Sequence, residues 1–342
     1  MNILVTGAAG YIGSHTCARL IARGHHVLGV DGLYRGHLAA AQILKKLGQD
    51  NFNFVRADIA DRFVIESLLS EHRIDAVMHF AALTYVGESV DSPMNYYRQN
   101  VTAMNTLLDA IDRVNVQNFV FSSSCATYGQ PPESLIPIPE SCPQEPLSPY
   151  GRTKLAGEWM MRDLAESRRR ADRPFAYAAL RYFNVAGCAL DGSLGEDHTP
   201  ETHLIPVILQ AALGQRESIQ IFGTDYPTPD GTCIRDYVHV DDLADAHIAA
   251  LESLKPGDTR AFNLGIGEGV SVRQVIDAAK RVTGVDFKVI EHPRRAGDPA
   301  RLFSDSSLLK RELGWSPRIT SIDDTVKSAW NWFKSHPNGY RS

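Results

Sequence analysis

Short apolar runs recur along the first half of the chain with amphipathic stretches between them: NILVT at 2–6, HVLGVD at 26–31, FNFVRAD at 52–58, DAVMHFAA at 75–82, NFVFSSS at 118–124 and FAYAALRYFN at 175–184. Runs that stay apolar through consecutive positions, rather than at every second one, mark strands covered on both faces. The helical stretches between them are the crossovers that parallel strands require. The pattern predicts an α/β fold built on a doubly wound parallel sheet. Apolar residues at helical spacing also run from Pro93 to Arg113 and from near Tyr150 onward. The segment HVDDLADAHIAAL reads as a further helix, with Asp241 and Asp242 as N-cap acids rather than metal ligands.

Beyond Asn184 the texture changes, and Gly, Pro and Asp crowd GCALDGSLGEDHTPETHLIP and FGTDYPTPDGTCIRDY. Long loops on a rigid scaffold usually carry a binding surface. The expected organisation is a sheet domain over 1–180 and a smaller C-terminal substrate-binding lobe over 181–342, with segments free to cross back into the first. Hydrophobic content of 44% and charged content of 22% are those of an ordinary globular chain, and a formal charge of −5 excludes a general nucleic-acid binder. Arg168-Arg169-Arg170 is expected to be a solvated helix end. No apolar run approaches the ~18 residues of a membrane span, and the N-terminus has no signal-peptide pattern, so a cytoplasmic protein with no membrane partner is expected. The five cysteines are scattered and form no C-x-x-C pair, which predicts reduced, packed thiols. No set of His and carboxylates shows metal-ligand spacing, so no metal is expected.

Two motifs carry chemistry. TGAAGYIGSH places Gly7, Gly10 and Gly13 between the first strand and a helix reaching about Arg23, where glycine lets the backbone approach a pyrophosphate at a helix N-terminus. Asp31 ends the second strand 18 residues past Gly13. That is near the ~20-residue offset of an acid that binds a ribose diol, and its charge favours NAD over NADP. Asp58 and the Phe80-Ala81-Ala82 segment follow the third and fourth strands, where they either face the dinucleotide or simply pack at strand ends. In SPYGRTKLAGE, Tyr150 and Lys154 are four residues apart just after Pro149, on one helix face. An ammonium beside a phenol favours phenolate and prepares it as a base. Ser124, at the end of the strand in FSSSCATYG, is placed to bond the same substrate hydroxyl.

Glycine loop, strand-end serine and Y-x-x-x-K, in that order, resemble the short-chain dehydrogenase/reductase superfamily. With FAALTYVGES, SSSCATYG, LRYFNVAG, GTDYPTPDGTCIRDYVHVDDLADAH, FNLGIG and RRAGDPA, the chain resembles the UDP-galactose 4-epimerase family nearly end to end. The resemblance implies a Rossmann-like domain and a catalytic trio of Ser124, Tyr150 and Lys154. Implied NAD contacts are Gly7, Gly10, Tyr11, Ile12, Gly13, Asp31, Asp58, Ile59, Phe80, Ala81, Ala82, Asn100, Tyr150, Lys154 and Tyr182. Implied UDP-sugar contacts are Ser124, Tyr150, Phe183, Asn184, His203, Leu204, Phe222, Arg235, Arg295, Asp298 and Leu302. Forked guanidinium groups at Arg235 and Arg295 suit a diphosphate, although either also reads as a surface ion-pair partner, and Asp298 either bonds a ribose hydroxyl or pairs with an arginine.

The activity implied is interconversion of UDP-glucose and UDP-galactose through a 4-keto sugar, by a homodimer joined through the helices at 93–113 and 150. Thr84 stands where many members have lysine, His203 where some have asparagine, and CAT follows Ser124 as in a branch with UDP-arabinose/UDP-xylose 4-epimerases, so the pentose reaction is the alternative. A related dehydratase would carry Asp-Glu where Cys125-Ala126 stand. A non-catalytic NAD-binding scaffold would be expected to lack the tyrosine–lysine pair. At Leu302 the family has a tyrosine in members restricted to plain hexoses and a small residue in those accepting N-acetylated sugars, which predicts a preference for the plain sugar.

Overall fold

The computed structural model describes residues 1–295 and 298–341; Ala296 and Gly297 of the RRAGDPA segment lie outside the described residues. Each predicted apolar run forms a strand. These are β1 (Asn2–Thr6), β2 (His26–Asp31), β3 (Phe52–Arg56), β4 (Ala76–His79), β5 (Asn118–Ser122) and β6 (Ala176–Tyr182). Helices α1 (Tyr11–Ala22), α2 (Leu38–Gly48) and α3 (Arg62–Glu71) connect the first four strands. Between β4 and β5 come α4 (Val86–Asp91), α5 (Pro93–Tyr96), a π-helical stretch Tyr97–Thr102 and α6 (Ala103–Val114). The long α7 (Pro149–Arg170) returns the chain to β6.

Part of the sheet comes from later in the chain. After β7 (Asn184–Ala186), α8 (Leu204–Ala212), β8 (Ile219–Phe222), β9 (Ile234–Arg235) and β10 (Tyr237–His239), α9 (Val240–Ser253) leads to β11 (Thr259–Leu264). β11 pairs parallel with β6, giving a seven-stranded parallel sheet in the order β11-β6-β5-β4-β1-β2-β3. Residue 181 falls inside β6, so the sheet's own register, not a linker, crosses that point. α9 lies along α1, tied by Arg19 to Asp245 at 2.7 Å and by Arg23 to the same carboxylate at 3.1 Å. The remaining elements, β12 (Val270–Ser271), α10 (Val272–Thr283), β13 (Val289–His292), β14 (Arg301–Leu302), α11 (Ser307–Leu313) and α12 (Ile322–Ser335), complete the chain. Ile205, Leu209, Ile221, Val275, Ile276 and Trp332 form a separate apolar core among α8, α10 and α12.

Two sequence expectations are corrected. The N-cap of α9 is His239, whose side chain accepts from Asp241 N–H at 3.1 Å. Asp242 instead accepts from the backbone N–H groups of Arg318 at 3.0 Å and Ile319 at 2.8 Å. Arg168 is not solvated: it is 2% exposed and donates to the Val116 carbonyl at 2.8 Å and to the Asn115 side chain. Only Arg169 and Arg170 pair at the surface, both with Glu166. The cysteines are free thiols, and no described helix is long and apolar enough to cross a membrane.

Candidate active site

Along the sheet, the chain turns outward in opposite directions from β1 and β4, opening a crevice at their carboxyl ends where open α/β sheets bind ligands. Gly7 follows β1 at φ +72°, and a Cβ there would stand 2.7 Å from Ala81 N, against the segment that follows β4. A Cβ on Gly13 would stand 2.0 Å from the Gly7 carbonyl oxygen, so the turn closes only with glycine at both positions. Gly10 is the N-cap of α1 and offers no side-chain acceptor. The first N–H groups of the helix are therefore available to an anion. Asp31 accepts from Ala9 N–H at 3.1 Å and Leu33 N–H at 2.7 Å. Burial raises its pKa and these two donors pull it back. Each oxygen keeps a lone pair for a hydroxyl. An uncapped helix end beside an oriented carboxylate fits the pyrophosphate and ribose diol of NAD.

The crevice is one continuous cavity of about 1520 Å³. A single small-molecule site is usually ~300–1,000 Å³, so this one has room for two nucleotides. Tyr11, Ile12, Asp58, Ile59, Phe80, Ala81 and Ala82 line it on the glycine-loop side. Phe183, Asn184, His203, Leu204, Phe222, Arg235, Arg295 and Asp298 line it on the other. Ser124, Tyr150, Lys154 and Tyr182 line the same cavity.

The tyrosine and lysine are placed by α7, whose N-cap Ser148 accepts from Gly151 N–H at 3.1 Å ahead of Pro149. They share a face as expected, yet they are not in direct contact. Lys154 Nζ lies 5.9 Å from the Tyr150 ring centroid and donates to the Ser122 carbonyl at 2.7 Å. Burial pushes the Tyr150 phenol up, with the Ser124 hydroxyl opposing the rise, and the same burial lowers Lys154 to about 7. Desolvation, and not the expected pull of the ammonium, therefore sets the direction of the phenol's shift. Ser124 Oγ caps the short turn after β5, accepting from Ala126 N–H at 3.2 Å. Beneath it, Arg181 bonds Glu158 at 2.6 and 2.9 Å, and Glu158 accepts from Ser123 Oγ at 2.6 Å, an arrangement buried throughout. This support under the strand end was not anticipated, because nothing in the local sequence joins residues 123, 158 and 181.

On the far side, the Arg235 guanidinium donates to the Pro299 carbonyl at 2.9 Å and lies 3.4 Å from Asp298. The Arg295 guanidinium stacks 3.8 Å from the Phe222 ring centroid. Asp298 therefore does pair with an arginine.

Two expected contacts do not reach the cavity. The Asn100 side chain is consumed by the Leu83 backbone, accepting its N–H at 2.8 Å and donating to its carbonyl at 2.9 Å, and it also donates to Thr153 Oγ1. Leu302 packs against the cluster of Tyr128, Ile138, Cys142 and Phe183 and is not among the residues that line the cavity. Residues missed include Arg35, held by Glu88 at 2.8 Å and lying 4.7 Å from the Tyr85 ring centroid. Also missed are Glu196, His198 and Glu201, which join His203 in a cluster of potential metal ligands lining the cavity. The expectation that no such set exists is revised; its sequence signal is the run E-x-H-x-x-E-x-H at 196–203.

The family model for the NAD dependent epimerase/dehydratase family matches residues 3–265. A UDP-glucose 4-epimerase of Lactobacillus helveticus is 48% identical over 341 residues, spanning 99% of this chain and 99% of the relative. A probable UDP-arabinose 4-epimerase of Arabidopsis thaliana is 44% identical over 349 residues, spanning 100% of this chain and 83% of the relative. The crystal structure of a UDP-glucose-4-epimerase from Stenotrophomonas maltophila with bound NAD and formylated UDP-arabinopyranose has a TM-score of 0.93 at 41% identity, covering 98% of this chain and 99% of that one. Similarity of this extent over both halves of the crevice, with the dinucleotide turn intact, places the chain in the NAD-dependent epimerase/dehydratase family, as an NAD-dependent nucleotide-sugar epimerase.

Proposed function

We propose that the protein interconverts UDP-glucose and UDP-galactose by inverting C4 through a 4-keto sugar. The observation that carries this reading is that Ser124, Tyr150 and Lys154 line one continuous cavity large enough for a dinucleotide and a nucleotide sugar together. NAD, which the glycine turn and Asp31 would hold, would supply a hydride acceptor and donor for C4. Tyr150 Oη removes the proton of the 4-hydroxyl and later restores it. Ser124 Oγ orients that oxygen and steadies its developing charge. Lys154, anchored on the Ser122 carbonyl, has two further N–H groups to offer the cofactor ribose. Arg235 and Arg295 hold the diphosphate, so the ketone turns about that tether and presents its other face. Asp31 holds the adenosine ribose, and Phe183, Asn184 and Leu204 form the wall beside the uridine nucleotide.

Cys125 and Ala126 bring no carboxylate next to Ser124, so the elimination that a dehydratase performs lacks its acid and base. The intact tyrosine and lysine count against a non-catalytic scaffold. The pentose reaction, UDP-arabinose with UDP-xylose, is the second reading, supported by the CAT segment and by the 44% identity to the Arabidopsis thaliana relative. Leu302 packs against the cluster that includes Phe183, and an effect on N-acetylated sugars would pass through that cluster.

A homodimer forms part of the proposal. Val90, Met94 and Trp159 are 62%, 66% and 51% exposed on α4, α5 and α7. Adjacent large apolar side chains left in water are what a second copy would cover.

The test is to incubate the purified protein with UDP-glucose, UDP-galactose, UDP-arabinopyranose, UDP-xylose and UDP-N-acetylglucosamine and to separate the products. The highest kcat/KM is expected on the glucose–galactose pair. A higher value on the pentoses replaces this reading with the second, and no conversion of any sugar refutes both.

A further inference from the structure

Glu196, His198, Glu201 and His203 serve no step of the proposed epimerisation as a group, yet they converge. One ligand atom from each lies within 4.8 Å of all the others. His203 Nδ1 is 3.0 Å from both Glu196 Oε1 and Glu201 Oε1. His198 Nδ1 is 3.3 Å from Glu196 Oε1 and 3.6 Å from Glu201 Oε2. Bonds of ~2.0–2.1 Å from zinc to imidazole and carboxylate give a tetrahedron with edges of about 3.3–3.4 Å. The nitrogen–oxygen separations, taken to Oε1 of Glu201 for His203 and to its Oε2 for His198, fall on either side of that value. We propose that these four side chains form a binding site for a divalent first-row transition cation, zinc being the best match to two imidazoles and two carboxylates.

Three further observations support a cation. Glu196 is 4% exposed, and a carboxylate at that depth needs a positive partner. His198 Nδ1 is buried and, among the described residues, makes no hydrogen bond of acceptable geometry, although it stands between two carboxylates. A buried nitrogen left without a hydrogen-bond partner between two carboxylates is free to coordinate. The donors are also held in place from outside. Glu201 Oε1 accepts from the Thr202 and His203 N–H groups at 2.7 and 2.8 Å, and the Tyr85 ring lies 6.1 and 6.2 Å from the two imidazoles. Such surrounding contacts orient metal ligands.

All four residues line the main cavity, which gives an ion its way in. The loop they occupy is already latched to the cofactor side. Arg35 donates to the Thr199 carbonyl at 3.0 Å and Tyr85 OH to the Pro200 carbonyl at 2.9 Å. It ends at His203, the N-cap of α8 and neighbour of Leu204 on the sugar side. A bound cation fixes this loop and therefore ties the two halves of the crevice together.

The holoenzyme, freed of any affinity tag and treated with chelator, is titrated with Co²⁺ by visible absorption and with Zn²⁺ by calorimetry. The expected results are the intense band of four-coordinate cobalt, displaced by zinc, and one ion per chain. His198→Ala and Glu201→Gln are each expected to weaken zinc binding by more than the ~10–100-fold typical of losing a mere supporting contact. Glu201→Gln keeps the side-chain volume, so it remains informative if His198→Ala does not fold. Neither readout depends on turnover, so failure here is separable from failure of the epimerase reading. No cobalt band in the native protein would mean that the four groups hold each other as imidazolium–carboxylate pairs, and the proposal falls. Unchanged affinity in the variants would place the ion elsewhere, with the same result.

Discussion

Replacing Lys154 by methionine is expected to make the cofactor-free protein more stable at pH 7 while removing its activity. The ammonium is 2% exposed, and burial alone lowers its pKa from 10.5 to about 7. At ~1.4 kcal/mol per tenfold, that drop corresponds to roughly 5 kcal/mol of cost in keeping the group charged in the folded state. The 2.7 Å bond from Nζ to the Ser122 carbonyl returns part of it, about 1.5–3 kcal/mol for a charged donor. Methionine removes both terms at similar volume, leaving a net gain of about 2–3 kcal/mol. Because the folded pKa lies below the unfolded one, the cost is present in full below pH 7, where both states carry the charge. It fades between about pH 7 and 10.5, as the folded chain releases a proton that the unfolded chain keeps. The native protein should therefore gain stability across that window, and the methionine variant should not. Urea denaturation of cofactor-stripped protein at pH 6, 7, 8, 9 and 10 measures the difference. A gap between variant and native protein that stays constant from pH 7 to 10, or that favours the native protein at pH 7, would refute the argument that desolvation dominates this lysine.

Tyr150→Phe keeps the ring's packing and removes only the titrating oxygen, so kcat should fall at least ~10²-fold with KM little changed; steady-state kinetics on UDP-galactose reads this, and near-native turnover would dismiss the tyrosine as the base. Glu158→Ala leaves the buried Arg181 guanidinium without its carboxylate, and a loss of about 3–5 kcal/mol in chemical denaturation is expected; a change below ~1 kcal/mol would show that the pair is dispensable. Light scattering at low micromolar concentration should give the mass of a dimer, and Trp159→Glu on the exposed face should shift it toward that of a monomer. A monomeric native protein would end the dimer proposal.

The local order of residues determined much of this protein. Strands β1, β2, β4, β5 and β6 were legible because they are buried along nearly their whole length and so read as apolar runs, while the half-buried edge strand β3 was legible from Phe52, Phe54 and Val55. The glycine turn was legible because its tight approaches admit no Cβ at Gly7 and Gly13, and the tyrosine–lysine pair because i and i+4 share a helix face whatever the rest of the chain does. Tertiary structure decided what depends on distant segments meeting. β11 joins the sheet through pairing with β6, some 80 residues earlier. Asn100 looked like a cofactor contact until the Leu83 backbone occupied its amide, and Leu302 a sugar contact until its neighbours proved to be Tyr128, Ile138 and Phe183. The sign of the phenol's shift also lay outside the sequence. Helical spacing puts an ammonium near Tyr150, but only the assembled cavity sets how much water both groups lose, and that desolvation is what raises the phenol.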